Sequence, residues 1–156
     1  MIALDIPGYG RLALQHLVMD YNGTLACDGK PVSGTRGRLE ELSESLELHV
    51  VTADTFGSVR AALEGWPCSI TVLPAGDQAK AKLAFVDSLG RQQCACLGNG
   101  RNDRRMLEAA GLGVAVLLDE GASREAMLSA DIVAPGILPA LDLLLHTHRL
   151  TATLRS

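Results

Sequence analysis

Three loops and one helical stretch carry the residues of this chain whose types and spacing suggest chemistry. Asp20-Tyr21-Asn22-Gly23-Thr24 follows the apolar run Leu17-Val18-Met19. Thr52-Ala53-Asp54-Thr55 follows Leu48 to Val51, and Gly98-Asn99-Gly100-Arg101-Asn102-Asp103 follows Cys94 to Leu97. Lys80 and Lys82 lie early in the stretch Gln78 to Leu89, between the last two loops. A strand-end carboxylate beside a Gly-Thr turn, a strand-end hydroxyl, an ammonium and a second acidic loop are the parts phosphoryl transfer requires. That reaction needs an in-line nucleophile and neutralised phosphate oxygens, with positioning and electrostatics supplying most of the catalysis. Asp20 offers the carboxylate, and its attack on phosphorus would give an aspartyl-phosphate. Thr52, with Ala53 beside it, and the backbone N–H groups around Gly23 and Thr24 can donate to phosphate oxygens. Mg²⁺ prefers oxygen ligands and retains several waters, which suits one or two carboxylates plus a phosphate oxygen.

Such loops meet only if the elements between them deliver them to one place. Ile2 to Ile6 and Arg11 to Leu14, around Pro7-Gly8-Tyr9-Gly10, form an N-terminal β-hairpin in this reading. His16 to Asp20 is a continuous apolar strand of the parallel-sheet kind. A helix over Gly34 to Leu46 follows, and strand and helix signals then alternate. Strands are expected at Leu48–Thr52, Ser69–Leu73, Cys94–Leu97, Gly113–Leu118 and Asp131–Ala134. Helices are expected at Thr55–Glu64, Gln78–Leu89, Asp103–Ala110, Ala122–Ser129 and Ile137 to Leu150, with Asp77 and Asp103 as N-caps. Repeated βα units with short connections predict an α/β, Rossmann-like doubly wound, mostly parallel sheet with helices on both faces. Ligands bind such sheets at the strands' carboxyl ends, where strand order reverses. The loops after Met19, Val51 and Leu97 lie at such ends.

Two lysines compete for the ammonium role. The apolar stripe Leu83, Phe85 or Val86, and Leu89 places Lys82 at the N-terminal end of a buried face. Lys80 is swung about 200° around the helix from it. The stripe favours Lys82, with Lys80 as the alternative.

Composition narrows the classes. The 156 residues suit one domain, 1–156, with 47% apolar and 21% charged residues. A formal charge of -4 without a Lys/Arg block argues against nucleic acid as partner. Runs such as Ile137 to Leu145 are too short to span a bilayer, and the N-terminus lacks signal-peptide character. Cys27, Cys68, Cys94 and Cys96 form no CxxC pair. Cys94 and Cys96 would face one side of a buried strand as packing residues, so a reduced, cytoplasmic chain is expected. His16 and His49 sit at strand starts and read as structural. His146 and His148 read as solvated, and Arg101 as exposed.

Together and in this order, DYNGT, the strand-end Thr52, a lysine and GNGRND resemble the haloacid dehalogenase-like superfamily of phosphoryl-transfer enzymes. Its pattern is DxDGT, a strand-end Ser or Thr, a Lys, and GDGxND. Within it, GNGRNDRRML is similar to the corresponding segment of P-type ATPases, so a soluble P-type-ATPase-like phosphohydrolase is implied. The resemblance implies Mg²⁺ held by Asp20, the Asn22 carbonyl, Asn99 and Asp103. It also implies catalysis by Asp20, Asn22, Thr52 and Lys82, and phosphate binding by Gly23, Thr24, Thr52 and Ala53. There is no room for a cap domain between these motifs. Capless relatives act on large substrates or close the site with a neighbouring subunit, so a macromolecular phosphorylated substrate or a homo-oligomer is expected.

The chain departs from that pattern twice. Asn22 stands where related phosphatases carry the general acid/base Asp, and an amide exchanges no proton at useful pH. Asn99 replaces a metal-binding carboxylate. Slow hydrolysis follows if the chain is an enzyme. The rival reading is a catalytically weakened module that binds phosphate or a partner and regulates it.

Overall fold

The computed structural model describes residues 1–54 and 57–156. The N-terminal hairpin pairs β1 (Ile2–Ile6) with β2 (Gly10–Leu14). β3 (His16–Asp20) starts the central sheet. A short flap, β4 (Ala26–Cys27) and β5 (Lys30–Pro31), then precedes α1 (Thr35–Leu42). β6 (Glu47–Thr52), α2 (Ser58–Ala62), β7 (Ser69–Val72) and α3 (Gln78–Leu89) follow. The chain continues through β8 (Cys94–Gly98), α4 (Arg104–Ala109), β9 (Leu112–Val116), α5 (Arg124–Ser129) and β10 (Ile132–Ala134). It ends with α6 (Ile137–Leu145) and α7 (Thr147–Leu154).

Six parallel strands run in the order β10-β9-β8-β3-β6-β7. From β3 the chain steps outward to β6 and β7, then returns to the other side of β3 as β8. Strand order therefore reverses between β3 and β8, and the crevice at their carboxyl ends lies beside Asp20 and Gly98. The doubly wound sheet expected from the sequence is the fold observed.

Alternation along each strand divides the core in two. Leu17 and Met19, Leu48 and Val50, and Ala95 and Leu97 face α1, α6, α7 and the hairpin. Val18, Val51, Cys94 and Cys96 face α3, α4 and α5 through Val86, Met106, Leu107 and Ala126. Each of these aliphatic side chains is under 5% exposed, and full burial of one such residue contributes about 1.5–3 kcal/mol. The two cysteines pack on one face as expected, and burial pushes both thiols up. All four cysteines are free. No helix among the described residues is long and apolar enough to cross a membrane.

Several expected boundaries move. α1 ends at Leu42, not Leu46, because the Ser43 hydroxyl donates to the Glu40 carbonyl at 2.6 Å and the backbone loosens into turns. The expected helix start at Thr55 lies outside the described residues. The last helix breaks at His146, whose φ of -121° and ψ of 72° are not helical. That break lets α7 turn Leu150 back into the core, and the chain end meets the hairpin where the Ser156 N–H donates to the Pro7 carbonyl. His146 and His148 stay exposed.

Candidate active site

Asp20 ends β3 on the face covered by α3, because its side chain shares the alternation of His16 and Val18. On α3 the buried residues are Ala79, Lys82 and Val86, a spacing of three and four that places Lys82 inside the buried stripe. Lys80 is exposed. The Lys82 Nζ donates to Asp20 Oδ1 at 2.8 Å and to Asp103 Oδ1 at 2.6 Å. Lysine is rarely this buried, at 1% exposure, and here it is held by two carboxylates.

One ammonium does not balance two buried acids. Burial and the charge of Asp103 raise the Asp20 carboxyl to about 7, although Lys82 and the Tyr21 N–H pull it down. The same two carboxylates hold the Lys82 ammonium above its ordinary range despite burial. The site carries an excess negative charge where a cation would be favoured.

Asp103 organises its own loop. Its Oδ2 accepts the N–H groups of Asn99 at 3.0 Å and Gly100 at 2.9 Å. This backward reach tightens residues 101–103 into a 3-10 turn, and Asp103 makes no side-chain cap on α4. The expected N-cap is thus corrected to a loop clamp. A Cβ on Gly98 would lie 2.5 Å from the Asp103 carboxyl carbon, so only glycine leaves room for that clamp.

The turn after Asp20 is built from its own backbone. Gly23 N donates to the Ala26 carbonyl at 2.8 Å, and the N–H groups of Thr24, Leu25 and Ala26 converge on the Tyr21 carbonyl. The N–H groups of Gly23 and Thr24, expected to face phosphate, are engaged within the turn. Gly23 has φ +76°, and a Cβ there would meet the Asn99 amide at 2.2 Å. Its role is close approach. The Thr24 hydroxyl donates to Asn99 Oδ1 at 3.2 Å, and Asn99 Nδ2 donates to the Gly121 carbonyl at 3.2 Å. Asn22 is exposed, and its own N–H and carbonyl take no part in the turn's hydrogen bonds.

Thr52, 2% exposed, ends β6 one residue beyond the pairing of Val51 with Asp20. Its Oγ1 accepts the Asp54 N–H at 3.1 Å, which leaves the hydroxyl proton for another acceptor. Ala53 is exposed next to it. Arg101 pairs with Glu125 at 3.4 Å on the surface.

Oxygen donors for a metal are present. Asn99 Oδ1 and Asp103 Oδ1 each accept one protein hydrogen bond and keep a second lone pair, while Asp103 Oδ2 accepts two. The Asp20 carboxylate is a donor that fits a hard cation, and the excess charge there is what such an ion would neutralise.

Three supporting residues were not found from sequence. Asp54 Oδ2 accepts the Ser58 hydroxyl and the Val59 N–H, both at 2.9 Å, and so starts α2. An acidic residue just before that helix was the available signal. The Tyr21 hydroxyl donates to the Gly29 carbonyl at 2.9 Å and pins the flap. The Gly121 carbonyl, which orients Asn99, gives no sequence signal because it is main chain.

The segment between β3 and β6 holds only β4, β5 and α1, so the crevice has no inserted cap. A cavity of ≈ 310 Å³ lined by Gln15, Leu46 and Glu47 opens at the opposite, amino-terminal end of the strands and is separate from this chemistry.

Residues 75–135 match the family of haloacid dehalogenase-like hydrolases. An uncharacterised protein of Methanocaldococcus jannaschii is 43% identical over 84 residues, covering 51% of this chain and 90% of its own length. Among solved structures, one described as a HAD superfamily (subfamily III A) hydrolase from Legionella pneumophila superposes with a TM-score of 0.72. It is 17% identical and covers 90% of this chain and 87% of its own. The 3-deoxy-D-manno-octulosonate 8-phosphate phosphatase of Moraxella catarrhalis, solved with magnesium, phosphate and its sugar, has a TM-score of 0.71. That enzyme is 16% identical, over 91% of this chain and 94% of its own. These structural likenesses carry the fold.

Proposed function

This chain belongs to the haloacid dehalogenase-like superfamily, and from that membership we propose that it is a phosphohydrolase whose nucleophile is Asp20. The observation that supports this reading best is the buried triad Asp20–Lys82–Asp103 at the reversal of strand order. Asp20 attacks the phosphorus, the leaving group departs with its oxygen, and an aspartyl-phosphate forms. Water then attacks that phosphorus and returns the carboxylate. Lys82 holds Asp20 Oδ1 in place and offers its remaining donor capacity to a phosphate oxygen. The Thr52 hydroxyl, fixed by the Asp54 N–H, donates to another. A divalent cation, Mg²⁺ by the chemistry of the donors, would be held by Asp20 and the Asn22 carbonyl, with Asn99 and Asp103 behind them. It would supply positive charge to the transferring phosphoryl group. The Moraxella phosphatase, which shares this fold, was solved with a magnesium ion and a phosphate ion, which supports a divalent cation in the reading.

The test is phosphate release from acetyl phosphate and from a chromogenic phosphate ester, with millimolar Mg²⁺ or with chelator. Slow, metal-dependent release is expected, faster for acetyl phosphate because its leaving group needs no proton. Neither release nor a phosphorylated protein by mass spectrometry would leave the partner-binding, regulatory reading in its place.

Asn22 sets the expected slowness. Asn22→Asp places a carboxylate beside the reaction on an exposed, nearly isosteric side chain, so the turn survives. Ester turnover should rise by roughly tenfold or more, the low end of acid/base assistance. Acetyl phosphate should gain less. Unchanged ester turnover in a folded Asn22→Asp protein would show that the amide is not the brake. The substrate reaches an uncapped crevice, which favours a large phosphorylated partner or closure by a second copy of the chain.

A further inference from the structure

At the other end of the same two strands lies a second polar cluster that the phosphoryl chemistry does not use. The parallel register pairs His16 of β3 with Glu47 of β6, and His49 of β6 with Ser69 of β7. His49 lies two residues beyond Glu47 and so on the same sheet face, the one covered by α3. Three ligand atoms converge there: His16 Nδ1, His49 Nε2 and a Glu47 carboxylate oxygen.

The hydrogen bonds orient the lone pairs. Ser69 Oγ donates to the Leu48 carbonyl at 3.4 Å, so at 3.1 Å it accepts the proton on His49 Nδ1. That tautomer leaves the His49 Nε2 lone pair directed into the cluster, where it accepts the His16 Nδ1 proton at 3.2 Å; a metal would take that proton's place, with the His16 proton moved to Nε2. A hydroxyl behind one imidazole, and the Phe85 ring with its centroid 5.6 Å from that of His49, supply the orienting and apolar surroundings that metal-bound histidines carry.

We propose that His16, His49 and Glu47 form a binding site for a divalent transition metal, Zn²⁺, at the amino ends of β3 and β6. Ligand atoms around tetrahedral zinc, with bonds of 2.0–2.1 Å, stand about 3.3 Å apart. His16 Nδ1 is 3.2 Å from His49 Nε2 and 3.4 Å from Glu47 Oε2. The third edge, His49 Nε2 to Glu47 Oε2, is 4.0 Å, and the Glu47 side chain is 75% exposed and free to close it. Two imidazoles and one carboxylate select zinc over magnesium, and the fourth position opens to solvent beside Glu47. The ion would tie β3 to β6 at the end opposite Asp20 and Thr52, and so brace the two strands that carry them.

The full chain, stripped with chelator and titrated with Zn²⁺ in excess Mg²⁺, is expected to bind one ion per chain with micromolar or tighter affinity. His49→Gln or His16→Gln should weaken it by roughly a hundredfold or more, and Ser69→Ala by about tenfold. Glu47→Gln, on an exposed side chain that folding does not need, should also weaken it. Co²⁺ in the same site should give the visible absorption of tetrahedral nitrogen and oxygen ligation without a thiolate charge-transfer band. Asp20→Asn and Cys27→Ser should leave the affinity unchanged, since the active site and the Cys27, Asp28, Glu120 group are elsewhere. Absence of binding, survival of binding in the folded Glu47→Gln protein at full affinity, or its loss in Asp20→Asn or Cys27→Ser overturns the proposal.

Discussion

Replacing Asp20 by Asn is expected to abolish turnover and at the same time stabilise the folded protein above pH 7. With Asp20 as the proposed nucleophile, the substitution removes the covalent step, so phosphate release should fall by on the order of 10⁴-fold or more. The stability gain comes from the electrostatics. Asp20 is raised to about 7 in the folded chain by burial and by Asp103, against about 3.9 when unfolded. A carboxyl with a raised folded pKa favours the fold in its protonated form; that contribution is complete below about pH 4 and is lost as pH rises through about 7. Asn mimics the protonated acid at every pH and keeps it. The variant should therefore match the parent near pH 4 and gain on it up to pH 7. Above that it should unfold at a temperature roughly 10 °C higher, corresponding to about 4 kcal/mol. Calorimetry at pH 5 and pH 8 in chelator measures this, since a bound cation would stabilise only the parent. Residual turnover would displace Asp20 as nucleophile. An equal or lower melting temperature at pH 8 would mean that Lys82 compensates both acids.

Lys82→Met should act in the opposite sense on stability. The ammonium bonds both Asp20 and Asp103, and its side chain is 1% exposed. Methionine fills the space but leaves two carboxylates facing each other in the interior. Breaking a buried pair from one side costs about 3–5 kcal/mol, roughly a 10 °C fall in melting temperature for a chain of this size. Without the ammonium the Asp20 carboxyl rises further, so its protonation relieves the deficit. The loss should be largest at pH 8 and shrink toward pH 5. Combining Asp20→Asn with Lys82→Met should recover part of it, because one of the opposed charges is gone. Turnover should fall at all pH values, since the phosphate also loses its cation. Chemical unfolding of the three proteins at two pH values tests the coupling. A loss that is the same at pH 5 and pH 8 would assign Lys82 to packing alone.

Much of this site was readable because its parts lie at strand ends. Asp20, Thr52 and Gly98 each close an apolar run that parallel pairing buries, and the βα alternation brings such ends to one edge of a doubly wound sheet. Asp77 before Gln78 and Gly90 after Leu89 fixed α3 to the residue, since capping is local chemistry. Lys82 could be favoured over Lys80 because helical period is local too.

Tertiary contact decided the rest. Asp103 clamps the N–H groups of Asn99 and Gly100 instead of capping α4, because burial beside Lys82 turns its carboxylate inward. The Asn99 amide is fixed by Thr24 and by the Gly121 carbonyl, from parts of the chain far apart in sequence. The last helix breaks at His146 so that Leu150 can return to a core that the hairpin completes. His16, Glu47 and His49 meet only through strand register, which pairs residues 31 and 33 positions apart by geometry that no local pattern records. Residue types and period belong to the sequence alone; which polar atoms share a partner depends on the packing of elements that the chain connects only at a distance.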